Sequence, residues 1–114
     1  MKPRRLPDVD PVSNFEEQVM LAVVRTGDHA YGMNVRRELE DVTGREVTIG
    51  SVYTTLDRLE AKALVASTRV AGTGASSLRV FAVTVDGLRA LAETRAQRDR
   101  LWNGINLQAL LRGT

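Results

Sequence analysis

The chain contains no cysteine, which excludes disulfides, thiolate nucleophiles and cysteine-based metal sites. Aromatic residues make up only 4% of it, so a core has to be built mainly from Leu, Val and Ala. The longest aliphatic run, Val19 to Val24, is six residues and cannot span a bilayer. The amino terminus lacks the apolar centre of a secretory signal. A soluble cytoplasmic protein with no membrane partner is the expectation. His29 is the single histidine; it sits in a turn beside Asp28, and nothing is spaced to join it in metal binding or catalysis. Gly72 and Gly74 form a Gly-x-Gly without the third glycine or the strand-to-helix switch of a nucleotide site. Of the acidic residues Glu38, Glu40 and Asp41, the first and last share a solvated face with Arg37 and form no acid/base pair. The sequence therefore predicts no enzyme, no cofactor and no metal.

What remains is an ordinary globular composition. At 114 residues, 43% hydrophobic and 26% charged, the chain is one domain large enough to bury a core. A net charge of +2 only permits a nucleic-acid partner. All but two of the 16 basic residues are arginine, which suits bidentate recognition of phosphates and guanines.

Residues 1–12 hold all three prolines and the basic cluster Lys2, Arg4 and Arg5. They read as a flexible arm, either a frayed terminus or an extra phosphate contact. A first helix starts at Ser13 or Asn14, each followed three residues later by a glutamate in the capping-box spacing. Phe15, Val19, Val23 and Val24 give it a broad apolar face, and Gly27-Asp28 stops it. The second helix carries the stripe Tyr31, Val35, Leu39 and Val42 and ends at Gly44. Thr48 caps a third helix, about 49–62, with the stripe Val52, Leu56, Leu59 and Ala63. Two β-rich segments follow, spanning 64–83 around the glycine- and serine-rich tip GTGASS, and read as a hairpin. Thr84 caps a long carboxy-terminal helix over 85–114, interrupted only at Asn103-Gly104. Three short helices, a hairpin and a long helix make a mainly α protein with a winged helix-turn-helix over 13–84.

The third helix carries the functional signal. With Val52 at zero, Leu56, Leu59 and Ala63 fall within about 40° of it, whereas Ser51, Thr54, Asp57 and Arg58 lie at roughly 140–260°. Tyr53 occupies one shoulder, Thr55 and Lys62 the other. A helix entering the major groove needs short side chains at its amino end, which Gly50 and Ser51 supply. Thr54 and Thr55 can bond base edges or phosphates, and Arg58 can take guanine bidentately or hold a phosphate. Tyr53 either touches a phosphate through its hydroxyl or packs on the second helix. Asp57 on this face opposes phosphate.

The run from Ala30 to Val65 resembles the PadR-like family of winged-helix transcriptional regulators. The resemblance rests on Tyr31-Gly32, Arg37 to Glu40, Gly50-Ser51-Val52-Tyr53, Leu56, Leu59, Leu64 and Val65, and after the wing on Phe81, Val83, Thr84 and Gly87. It covers roughly residues 15–92. It implies a homodimeric repressor on a palindromic double-stranded operator, with the third helix in the major groove and the wing along the backbone. It also implies contacts exchanged between subunits by the carboxy-terminal helix, and a varied response to small effectors. Two departures stand out. Ala63 replaces the usual glycine after the third helix, so this turn forms without a left-handed glycine. The wing tip lacks the arginines of relatives, leaving only Arg69 and Arg79 beside it, so phosphate affinity from the wing should be modest.

In the carboxy-terminal helix Leu88, Leu91 and Ala92 form one apolar patch, which can close the winged domain. Leu101, Trp102, Ile105 and Leu110 form another, which needs a second surface. A symmetric dimer is expected, with Phe15, Leu88, Leu91, Leu101, Trp102, Ile105 and Leu110 as its candidate contacts. Trp102 either packs in that interface alone or also stacks a flat aromatic effector. The expected function is a sequence-specific DNA-binding regulator; the alternative is a winged-helix adaptor for another protein.

Overall fold

The computed structural model describes residues 11–70 and 78–113 of the 114, so the arm up to Asp10 and the tip GTGASS lie outside the described residues. The elements are α1 (Asn14–Thr26), a single 3₁₀ turn (Gly27–His29), α2 (Gly32–Thr43), α3 (Ile49–Ala61), β1 (Val65–Val70), β2 (Leu78–Val83), α4 (Val85–Trp102) and α5 (Leu107–Arg112). This is a winged helix-turn-helix followed by a long helix.

Short polar side chains start the helices where the sequence indicates. The Ser13 hydroxyl accepts from the Glu16 amide and the Glu16 carboxylate accepts from the Ser13 amide at 3.0 Å, completing a capping box. Thr48 accepts from the Ser51 amide at 3.1 Å and Thr84 from the Gly87 amide at 3.0 Å. Each such cap contributes about 1 kcal/mol. The carboxy-terminal segment divides at Asn103-Gly104 into α4 and the separate short α5, which Asn106 caps.

The core joins Val19, Met20 and Val23 of α1, Val35 and Leu39 of α2, Val52, Leu56 and Leu59 of α3, and Val65 and Phe81 of the hairpin. The strands pair antiparallel with Val65 opposite Val83, Ser67 opposite Phe81 and Arg69 opposite Arg79. Alternation puts these six residues on the face turned to the helices. The outer edge of β2 is also held: the Phe81 amide donates to the Ala30 carbonyl at 3.0 Å, and Tyr31 bridges Val80. The wing is therefore tied to the start of α2 as well as to α3.

Three expected stripes are shorter than the sequence predicts. Val24 and Val42 are exposed; with Leu21 they line a shallow apolar groove of about 260 Å³ between α1 and α2. Ala63 is not the last core position of α3, because the helix has ended at Ala61 and Ala63 is exposed. It adopts φ 62°, the left-handed conformation, without being glycine. The Ala63 amide donates to the Glu60 carbonyl and the Leu64 amide to the Leu59 carbonyl, both at 2.9 Å. That pair of bonds is a Schellman motif with alanine where glycine usually sits.

The face by which α4 closes the domain is also different. It is Gly87, Ala90, Leu91 and Thr94, whereas Leu88 and Ala92 are exposed. The register follows from Gly87: a Cβ there would sit 2.1 Å from the Leu64 carbonyl oxygen, so only glycine lets the helix come this close. Residues three, four and seven further on then face the same way. The Thr94 hydroxyl accepts from the Val12 amide at 3.0 Å and donates to the Ala90 carbonyl at 2.7 Å. Val12 is thus pinned to α4 and packed on the core. Arg98 pairs with Glu17, whose side chain is buried in α1. From Arg98 to Gly113 every described residue is exposed.

Candidate nucleic-acid interface

The turn between α2 and α3 sets how the third helix is presented. Gly44 ends α2 at φ 71°. Beyond it, the Val47 amide donates to the Glu40 carboxylate at 2.9 Å and its carbonyl accepts from the Arg36 side chain at 2.8 Å. Glu40 and Arg36 face each other at 3.6 Å. Two charged side chains of α2 therefore clamp one residue of the turn from both its backbone groups, and side chain–backbone bonds help fix the crossing of α2 and α3. Glu40, read in the sequence only as no part of an acid/base pair, reaches forward with its carboxylate to this turn.

The exposed side of α3 carries Gly50, Tyr53, Thr54, Asp57 and Arg58, with Ser51 half-buried at its first turn. The Ser51 hydroxyl donates to the Thr48 carbonyl at 2.8 Å, leaving its oxygen lone pairs for a further donor. Tyr53 is 37% exposed. Its ring occupies the place of the absent Gly32 side chain: a Cβ on Gly32 would lie 2.3 Å from the Tyr53 Cζ. Packing on α2 and a hydroxyl near the surface are thus compatible. Arg58 is exposed and forms no ion pair among the described residues.

Other expected contacts are placed differently. Thr55 is 5% exposed and cannot meet a groove, because the buried stripe of a packed helix is broad enough to take in the flank beside Val52 and Leu56. Lys62 turns away from the exposed side of α3 and donates to Glu16 at 2.8 Å, joining the end of α3 to the start of α1. The Glu16 side chain is only 7% exposed. Its burial opposes ionisation, but the Lys62 ammonium and the Ser13 amide and hydroxyl outweigh that and hold the carboxyl below its ordinary range. Arg79 is also engaged. It donates to Glu60 at 2.6 Å and to Asp57 at 3.1 Å, and lies over the Phe81 ring at 4.8 Å. Arg69, its cross-strand neighbour, is exposed.

Sequence reasoning passed over Arg45. It is exposed in the turn before α3 and makes no ion pair among the described residues. Its place beside Gly44, one turn ahead of the third helix, was the available signal.

The expected dimer contacts separate into two groups. Phe15 and Leu91 are partly buried against the chain's own core. Leu88, Leu101, Trp102, Ile105 and Leu110 are exposed, and α5 adds Leu107 and Leu111. Leu101 is 72% and Trp102 51% exposed.

A sequence profile of the PadR-like family of transcriptional regulators matches residues 20–93. The chain belongs to this family. A PadR family regulator from Eggerthella lenta is 31% identical, with a TM-score of 0.66 over 84% of this chain and 82% of that one. A PadR-like regulator from Bacillus cereus shares the fold at 21% identity, with a TM-score of 0.68 over 88% of this chain and 93% of that one. RosR of H. salinarum does so at 20% identity and a TM-score of 0.66, over 90% and 92%. No curated protein matches the sequence significantly. The family is one of transcriptional regulators, and no helix among the described residues is long and apolar enough to cross a membrane.

Proposed function

We propose that this PadR-like regulator is a homodimeric DNA-binding repressor in the cytoplasm, placing α3 in the major groove of a palindromic operator and the hairpin along the backbone. The observation that carries the reading is the outer side of α3. Gly50, Ser51 and Thr54 are short enough for close approach, and beside them Arg58 has no ion-pair partner among the described residues. The phosphate-facing role falls to Arg58, the Tyr53 hydroxyl and Arg45; Thr54 and Ser51 meet base edges or sugar–phosphate oxygens. Lys62 and Arg79 serve the fold.

The dimer reading rests on the far end of α4 and on α5. Their apolar side chains Leu101, Trp102, Ile105, Leu107 and Leu110 are exposed and are not covered by any surface among the described residues. A two-fold pair would cover them once in each subunit and present two α3 helices to half-sites one or more turns of B-DNA apart, about 34 Å per turn. An indole at that interface is also the group on which a flat aromatic effector would stack.

Replacing Arg58 with alanine tests the reading against the adaptor alternative. The repressor reading expects operator affinity to fall by about tenfold or more, corresponding to a lost charged contact of 1–3 kcal/mol, with folding unchanged. Unaltered operator binding would remove α3 as the reading element. Replacing Trp102 with alanine separates its two roles: a monomer in sedimentation marks it as interface, an intact dimer that no longer responds to effector marks it as a binding residue.

A further inference from the structure

Between the wing and α3 lies a network that the operator-binding role does not use directly. Glu60, near the end of α3, accepts from the Ser67 amide at 3.1 Å and from the Ser67 hydroxyl at 2.7 Å with one carboxylate oxygen. Its other oxygen takes the Arg79 guanidinium at 2.6 Å. The same guanidinium donates to Asp57 at 3.1 Å, one helical turn earlier, and rests over the ring of buried Phe81 at 4.8 Å. One residue of β1, two of β2 and two of α3 are thus joined in a single cluster. The Ser67 hydroxyl foremost, with the Arg79 guanidinium and the Ser67 amide, outweighs burial and holds the Glu60 carboxyl below its ordinary range.

Resting on the operator-binding reading above, we propose that Arg79 is a positioning residue: it fixes the wing on α3 and cancels the charge of Asp57, and it makes no phosphate contact itself. Asp57 is exposed on the side of α3 that would meet the groove. Left alone it would repel the phosphates; beside Arg79 it is half of a neutral pair. Transferring Arg79 to a phosphate would leave two carboxylates, Asp57 and Glu60, without their cation and turned toward a polyanion. The exchange would undo what it gained. The network also explains how a hairpin with a tip poor in basic residues can matter for recognition. Its base is held by side chains at a set angle to the reading helix, and the shape of the domain, more than the charge of the tip, is what the wing contributes.

The test uses the full-length protein with Arg79→Met, Arg79→Lys, Asp57→Asn and the double variant Arg79→Met/Asp57→Asn. Affinity for the operator duplex is measured across a salt series, and amide exchange at Ser67 is measured by NMR without DNA. Circular dichroism confirms that each variant is folded, and Arg79→Lys, which keeps the charge but not the fork, stands in if Arg79→Met is not.

Positioning predicts that Arg79→Met weakens binding about tenfold and that Asp57→Asn restores a large part of it, as coupled neighbours do. The double variant keeps the wild-type slope of log affinity against log salt. Exchange at Ser67 speeds up in Arg79→Met. A phosphate contact by Arg79 predicts a slope reduced by about 0.9 in the double variant and no rescue by Asp57→Asn; that result overturns the proposal. Unchanged Ser67 exchange in Arg79→Met also overturns it, because the tether would then not hold the wing. If the wild-type protein binds no duplex at any salt, the operator reading fails, and the exchange measurement alone decides whether Arg79 fixes the wing.

Discussion

Replacing Ala63 with glycine should make this protein more stable. Ala63 is the left-handed residue of the Schellman turn that ends α3, with φ 62°. An L-residue in that conformation carries a penalty of about 1–2 kcal/mol from the contact between its Cβ and the following carbonyl. Glycine removes the contact but adds freedom to the unfolded chain, which takes back about 0.4–1 kcal/mol. The exposed methyl of Ala63 contributes no core packing, and the bonds of the turn, including the Thr84 hydroxyl on the Ala63 carbonyl at 2.8 Å, use backbone atoms that glycine keeps. The net gain is about 0.5–1 kcal/mol, or a rise in Tm of about 2–5 °C for a domain of this size. Calorimetry reads it, at one fixed protomer concentration because dimerisation itself shifts the midpoint. Ala63→Val provides the opposite control, since a β-branched residue fits the left-handed region worse. An unchanged or lower Tm for Ala63→Gly would refute the account of the turn.

Gly87→Ala forces a Cβ to 2.1 Å from the Leu64 carbonyl oxygen, a backbone atom that cannot swing aside, and should cost about 1–3 kcal/mol in urea unfolding; a neutral result would mean α4 does not seat as described. Lys62→Met removes the cation facing a side chain that is only 7% exposed. Because Lys62 is itself half exposed, the loss should be about 1–2 kcal/mol, with the salt slope of DNA binding unaltered; a smaller slope with unchanged stability would return Lys62 to the phosphate contacts. Glu16 and Glu60 have carboxyls lowered in the folded state, so their contribution is complete above the unfolded value of about 4.3 and is lost as pH falls through the lowered folded values. Unfolding free energies measured from pH 7 down to pH 3 should therefore drop in the acid range, and drop less in Glu16→Gln and Glu60→Gln; equal acid sensitivity in the variants would contradict the assignment.

The parts of the fold visible in the sequence are those that local chemistry decides. Ser13, Thr48 and Thr84 mark helix starts because a short oxygen beside free amides acts within one turn. The spacing of Val52, Leu56 and Leu59 marks one face because helical periodicity needs no tertiary information. What sequence could not show depends on approach between distant segments. The face of α4 that docks is chosen by the closeness of Gly87 to Leu64, and a patch count that favoured Leu88 and Ala92 had no access to it. Thr55 looks like a surface hydroxyl until the width of the buried stripe is known. Lys62 and Arg79 are positive on paper; their partners Glu16, Asp57 and Glu60 lie 46, 22 and 19 residues away, and only the fold brings them together. The candidate interface was thus legible in its short side chains and in Arg58, but not in which cations remain available to it.

The most direct test of the regulator reading is fluorescence anisotropy with duplex DNA from the region upstream of the protein's own gene, across a salt series and against a scrambled duplex. The account predicts saturable binding of two chains per duplex that persists in the presence of the scrambled competitor. Binding that vanishes equally for both duplexes as salt rises would show only a basic surface, and would contradict recognition by α3.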